Sequence, residues 1–311
     1  MKLVGCDKFA LANAGTPHTD LISNQFFSRE LSVTVTRHGK AGCGPERLKS
    51  VLASECNLPR RCETDRRLTT MMRQPNTQTA GYQRWQKLAF LHWRVPASTL
   101  QPLIPNELTI EQFDGSAWLG LVPFSMERIR PWWFPAVPGI SWFLETNIRT
   151  YVVDRNGVRG VWFFSLDANQ QLAVTVARTF WHLPYRMAKM TMTVGQSPDG
   201  LTLFRYTGTR TDQPPAEYDV SLSVDLRAPA TPAAANTLEY FLVERYILFA
   251  QKRNGELMSG QVHHAPYLIR PIFSCGVSQS LSSAEGCPSL TTPPDHTAYS
   301  EGVDVRVSPL K

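Results

Sequence analysis

The chain has 311 residues, 42% of them hydrophobic, with six Cys and 32 Lys and Arg against 26 Asp and Glu. These totals fit one large globular domain or two small ones and exclude a disordered, collagen-like or disulfide-framed chain. The formal charge of +6 is unevenly placed, because the first 72 residues carry 11 Lys and Arg against 7 Asp and Glu.

That first segment holds only three of the 32 aromatic residues, Phe9, Phe26 and Phe27. It lacks core-forming side chains and is expected to be either a poorly ordered extension over 1–72 or a misplaced translation start, with Met71 or Met72 as the natural first residue. Arg60, Arg61, Arg66 and Arg67 form a solvated basic run with no binding module beside it, so no nucleic-acid partner is expected. Phe9 to Ala14 is interrupted by Asn13 and is shorter than the ~7–15 residues of a signal-peptide core. No run approaches the ~20 apolar residues of a membrane span, and a cytoplasmic location without membrane contact is expected. The spacings of Cys6, Cys43, Cys56, Cys62, Cys275 and Cys287 match no zinc pattern, which leaves free thiols.

From Tyr82 the sequence reads as a mostly β (β-rich α+β) domain, with short strands between turn signals. Leu88–Val95 is a strand, and Ala97–Ile104 a short helix bracketed by Pro96 and Pro105. Ala117–Phe124 is a strand entered from an Asp114-Gly115 turn. The segment Pro131–Gly139, with Trp132, Trp133 and Phe134, is either a rigid surface loop or a pocket wall. Phe143–Val153 and Val161–Asp167 form a hairpin across Asn156-Gly157. Leu172–Trp181 and Tyr185–Val194 are expected to continue the meander as strands, followed by Leu201–Thr209 and Tyr218–Leu226. The main helix is expected from an N-cap at Asn236 to about Gln251, with Leu238, Phe241, Leu242, Leu248 and Phe249 as its buried stripe. A strand around Gln261–Ile269, a Ser-rich helix near Ser278–Ala284 and a closing strand Val303–Val307 complete the chain.

Residues two apart on a strand share a face, so Phe143, Glu145, Asn147, Arg149 and Tyr151 line one side of their strand. A solvated face and a polar barrel interior both fit that pattern. The neighbouring Val161–Asp167 is apolar on both faces, as in a strand that meets bulk water on neither. Arg178 and Arg245 sit among apolar residues, where an unpaired charge costs several kcal/mol. They need Glu145, Asp167 or a bound carboxylate as partner, and a Glu145 pair with Arg149 or Arg178 that only fixes strand packing is the alternative. His263 and His264 are adjacent and point to opposite faces, and His92 and His182 read as core histidines. With no nucleotide loop or metal-ligand motif, neither metal nor cofactor is expected. After position 72 the lysines are Lys87, Lys189, Lys252 and Lys311.

The segments Phe90-Leu-His-Trp-Arg-Val95, Leu103-Ile-Pro105, Phe113–Phe124, Glu145–Tyr151, Phe163–Ala168, Ala177-Arg178, Leu183-Pro-Tyr185 and Gly302-Val-Asp-Val305 resemble the YqjF-like family of uncharacterised proteins. That family looks like a branch of the acetoacetate decarboxylase-like superfamily. The resemblance covers about residues 82–309. It implies a cone-shaped antiparallel β-barrel with a central cavity and flanking helices, and makes a homo-oligomer plausible. True acetoacetate decarboxylases carry a Pro-Lys-Lys element whose lysine forms the Schiff base, its pKa lowered in an apolar cavity beside a second cation. The similar element here is Pro184-Tyr185-Arg186, and a phenol forms no imine. Lys189 is a weak substitute, ~13 Å beyond Tyr185 along the strand at ~3.3 Å per residue.

Two functions follow as expectations. One is acid/base chemistry on a small carbonyl or carboxylate compound, with Glu145 and Tyr185 as catalytic groups and Asn147, Arg149, Arg178, Arg186 and Arg245 as substrate-binding residues. The other is a non-catalytic structural or ligand-binding protein that kept the fold and lost the chemistry.

Overall fold

The protein's structure is a computed structural model that describes residues 79–311. The expectations for 1–72, its basic run and Cys6, Cys43, Cys56 and Cys62 lie outside the described residues. A ring of seven strands organises the rest. β1 (Gly81–Val95) pairs with β3 (Ala117–Pro131), β3 with β4 (Phe143–Asp154) and β4 with β5 (Arg159–Ala168), all antiparallel. The circuit closes through β10 (Ile247–Gln251), β11 (Leu257–His263) and β14 (His296–Val307), which returns to β1. Within the ring only the β5–β10 contact is parallel.

A second sheet grows from β5. β6 (Tyr185–Gln196) pairs with it in parallel over Leu166–Ala168 and then leaves the ring to build an antiparallel wing with β7 (Thr202–Arg210), β8 (Glu217–Val224) and β13 (Ser274–Gln279). Short strands β2 (Leu108–Ile110), β9 (Thr231–Pro232) and β12 (Leu268–Arg270) hang from β4 and β14. The antiparallel barrel that the resemblance implies is modified at β5, where β4 lies antiparallel along one edge and β10 and β6 share the other edge in parallel.

Strand alternation divides the core in two. Ala89, Leu91 and Trp93 of β1, Leu119 and Leu121 of β3 and Ile148 of β4 pack with Phe204, Tyr206, Tyr218 and Val220 of the wing. Leu88 and Phe90 of β1, with Trp118, Val122, Phe124 and Met126 of β3, join Phe143 and Tyr151 of β4 in a separate cluster on the opposite side of the ring wall. On β5 the register slips between Ile148↔Ser165 and Arg149↔Phe163, leaving Phe164 as an extra residue. This bulge moves the inward set from Val161 and Phe163 to Leu166 and Ala168, which is why the strand reads as apolar on both faces.

Two expected elements change type. Leu172–Trp181 is not a strand but lies mostly in helix α2 (Gln171–Phe180), capped by Gln170, whose side chain accepts from Leu172 N and Ala173 N; α1 is the short helix Ala97–Leu100 expected after Pro96. Parallel strands cannot be joined by a hairpin, so the β5-to-β6 connection requires a crossover, and α2 supplies it. The β-branched run Val174-Thr175-Val176 concealed an apolar stripe at Leu172, Ala173, Val176 and Ala177. The long helix from Asn236 to Gln251 is also corrected. Helix α3 covers only Leu238–Val243, its N-cap is Thr237 rather than Asn236, and Glu244 turns the chain into β10. Ile247–Gln251 is an apolar run too short to separate helix from strand by periodicity, and the edge between β5 and β11 claims it as a strand. The Ser-rich helix, α4, is Leu281–Ala284. Among the described residues no helix is long and apolar enough to cross a membrane.

Candidate functional site

The ring encloses a pocket of about 420 Å³, walled mainly by apolar side chains of β1, β3, β4, β5 and α2. Five expected site residues line it together: Glu145, Asn147, Arg149, Tyr185 and Arg245. The first three come from alternate positions of β4, Tyr185 from the start of β6, and Arg245 from the bend after α3. Tyr267, which no sequence pattern singled out, adds a further phenol.

Glu145 is buried, with 3% of its surface exposed. Its Oε2 accepts a hydrogen bond from the Tyr185 hydroxyl at 2.8 Å, and Asn147 also donates to it. Burial outweighs both donors and pushes the carboxyl up to about 7, because an apolar site disfavours the charged form. Both protonation states are therefore within reach near neutral pH. The Tyr185 phenol is raised well above its ordinary value, by burial first and then by the Glu145 carboxylate. It therefore stays protonated and acts on Glu145 as a fixed donor.

Arg149 donates through Nη2 to Leu242 O at 3.2 Å, while its Nε has no hydrogen-bond partner. It forms no ion pair among the described residues, and its guanidinium lies 5.6 Å from the Phe90 ring centroid. Arg245 donates through Nε to Phe241 O at 2.7 Å and pairs through Nη1 with Glu111 at 2.6 Å, leaving Nη2 without a partner. Burial lowers its pKa. Asn147 Oδ1 and Trp181 Nε1 are the third and fourth orphans of the lining. A buried polar atom without a partner costs about 1–3 kcal/mol, so four of them in one pocket leave donors and an acceptor unused inside the ring.

The other expected site residues lie elsewhere. Arg178, on α2, pairs with Asp212 and donates to Tyr185 O at 2.8 Å. Arg186 faces away from Tyr185, 3.6 Å from Glu285. Lys189 is exposed and opposite Thr209. It shares a strand face with Tyr185, but β6 has left the ring by then and that face meets solvent. None of Lys87, Lys189, Lys252 or Lys311 lines this pocket. The partners expected of the arginines are also corrected. Arg245 is held by Glu111, and Asp167 takes Arg210, with Nη2 to Oδ1 at 2.8 Å. No arginine pairs with Glu145 among the described residues. The partners missed at the sequence level lie 134 and 43 residues away, so no local pattern could reveal them. For α2 a signal existed in its helical spacing.

The Pro131–Gly139 loop contributes Pro131 to the pocket rim, whereas Trp132, Trp133 and Phe134 are exposed. His92 is buried in contact with His296 at 3.1 Å and the Tyr151 hydroxyl at 2.7 Å, a satisfied core histidine as expected. Cys275 and Cys287 are free. No three His, Cys, Asp or Glu side chains gather as a metal site among the described residues.

Solved structures share this architecture. An acetoacetate decarboxylase-like enzyme from Sphingomonas wittichii RW1 superposes with a TM-score of 0.54 at 13% identity, over 75% of this chain and 92% of its own. The enduracididine biosynthesis enzyme MppR, complexed with pyruvate, gives 0.52 at 13% identity over 78% and 93%. At these identities the likeness concerns the fold. By sequence, the uncharacterized protein YqjF of Bacillus subtilis (strain 168) is 34% identical over 231 residues, 74% of this chain and 90% of that protein. Residues 82–304 match the family model DUF2071, an uncharacterized conserved protein. The match spans the whole ring and wing, so the chain belongs to the DUF2071 family, on an acetoacetate decarboxylase-like fold.

Proposed function

We propose that the ring interior binds a small carbonyl or carboxylate compound and exchanges a proton with it through Glu145. The observation that carries this is the pairing of a buried carboxyl, pushed up to about 7, with a guanidinium on the same strand face that has no acidic partner. Arg149, assisted by the free Nη2 of Arg245, takes the ligand's carboxylate. Glu145, oriented by Tyr185 and Asn147, gives or takes a proton at the atom beside the carbonyl, since a pKa near the working pH serves both directions. Asn147 Oδ1 receives a ligand donor.

Chemistry through a lysine imine is not part of this proposal. Tyr185 stands where the family resemblance expects the lysine, and no lysine lines the pocket among the described residues. The pyruvate bound to MppR supports a 2-oxo acid as the first probe. Wild type incubated with 2-oxobutyrate in D₂O is expected to wash deuterium into C3, measured by proton NMR. Glu145→Gln should abolish exchange while retaining binding, and Arg149→Met should weaken binding at least tenfold, with pyruvate and 2-oxobutyrate titrated calorimetrically. Binding without exchange reduces the protein to a ligand carrier. No binding overturns the proposal, and a borohydride-trapped adduct on any lysine overturns its imine-free part.

A further inference from the structure

We infer that the ligand of this pocket is an amphipathic acid, with a carboxylate head at Arg149 and an apolar chain or ring of about six or more carbons running to the rim. The inference rests on the proposed function above and specifies its ligand. Three observations support it.

The first is size. At about 30 Å³ for each water-sized group, 420 Å³ accommodates roughly a dozen non-hydrogen atoms, twice what a three- or four-carbon acid contains.

The second is polarity along the pocket. Glu145 and Asn147 lie opposite Phe124 and Val122 of β3. From there the wall continues along β3 through Met126 and Ile129 to Pro131. Across from it α2 offers Leu172, Ala173, Val176 and Ala177. Beyond the head and its phenols, the polar groups of the described lining are Trp181 Nε1 and, at the far end, Tyr82, Gln83 and Arg130. A short acid bound at the head would leave this apolar wall without a partner.

The third is the rim. Ile140, Leu172 and Val176 belong to the lining and are also exposed, at 37%, 51% and 38%. Large apolar residues that are half in a pocket and half in solvent suit an entering chain whose last carbons are still partly wet. Burying each methylene of such a chain is worth a roughly three- to fourfold gain in affinity.

Calorimetric titration with straight-chain monocarboxylates from butyrate to decanoate, each below its aggregation threshold, tests this. The dissociation constant is expected to fall about three- to fourfold per methylene from four to eight carbons and to level off near ten. Arg149→Met should weaken octanoate at least tenfold. Val176→Arg, at an exposed helix position, should weaken octanoate at least tenfold and leave butyrate unchanged. Octanoate binding equally to wild type, Arg149→Met and Val176→Arg would place it on the outer aromatic loop and overturn the inference. Arg149-dependent binding of butyrate or pyruvate with no gain from chain length overturns the inference and leaves the small-acid function intact. Failure of every acid to bind folded wild type removes both.

Discussion

Opposite sides of the ring wall bury charge in contrasting ways. On the outer side, facing the wing, every nitrogen of Arg210 is satisfied. Nε and Nη2 bind Asp167 at 2.9 and 2.8 Å, Nη1 binds Glu285 at 2.7 Å, and Ser165 Oγ and Pro214 O complete the set. On the inner side, among the described residues, Glu145 has no cation, Arg149 has no acid, and four polar atoms of the pocket lining have no partner. The acids at the centre of the two sets sit on neighbouring strands, Glu145 on β4 and Asp167 on β5. A closed network serves packing, since all of its bonds are spent within the protein. An open one retains unused bonds for a ligand.

The largest effect should come from opening the closed network. Arg210→Met removes the cation that binds Asp167 and leaves Glu285 only the more distant Arg186, and is expected to cost about 3–5 kcal/mol in urea denaturation. A loss below ~1 kcal/mol would erase the contrast between the two sides.

Next in size is Glu145→Gln. The folded carboxyl is raised from 4.5 to about 7, so the native state binds the extra proton between those values. The stability contributed by this group is full below the unfolded value and is lost as pH rises through the folded one. Wild type carries that loss and Glu145→Gln does not. The variant should be no more stable than wild type at pH 4 and more stable by up to ~3 kcal/mol at pH 8, read from urea midpoints across the range. A difference independent of pH would contradict the raised carboxyl.

Arg149→Met should cost less than Arg210→Met, about 1–2 kcal/mol, because the guanidinium is held by the Leu242 carbonyl, the Tyr151 hydroxyl and the Phe90 ring and by no acid, whereas binding of acids is expected to be lost. That split between stability and binding inverts what Arg210→Met should show. Smallest of all, Lys189→Ala on the outer face of β6 should stay within ~0.5 kcal/mol of wild type and leave acid binding unchanged. A loss of binding there would return Lys189 to the site.

Much of the inner face was legible because a strand period of two is strict: Glu145, Asn147 and Arg149 had to share a side, whichever side that was. What decided between solvent and interior was closure of the ring through β10, and the sequence concealed that strand inside an apparent helix. The run Ile247–Gln251 is apolar enough for either state, and only its neighbours β5 and β11 choose. Arg178 and Arg186 lie away from the pocket. Adjacency to apolar residues suggested an interior for Arg178, and the likeness of Pro184-Tyr185-Arg186 to a Pro-Lys-Lys element a cavity for Arg186, but α2 turns Arg178 toward Asp212 and the alternation of β6 turns Arg186 toward Glu285. Lys189, a weak substitute already by its distance along the strand, is in solvent. Arg245 was placed correctly in an element of the wrong type, its partner Glu111 being reachable only through the fold.

The central claim is that the ring holds an acid–base carboxyl poised near neutrality beside an unpaired cation. Carbon-13 NMR of selectively labelled glutamate carboxyls, with Glu145 assigned by its disappearance in Glu145→Gln, measures this directly. The account expects a titration midpoint near 7. A midpoint near the ordinary 4.5 would mean that the site is wet and the carboxyl a solvated surface group, and would contradict it.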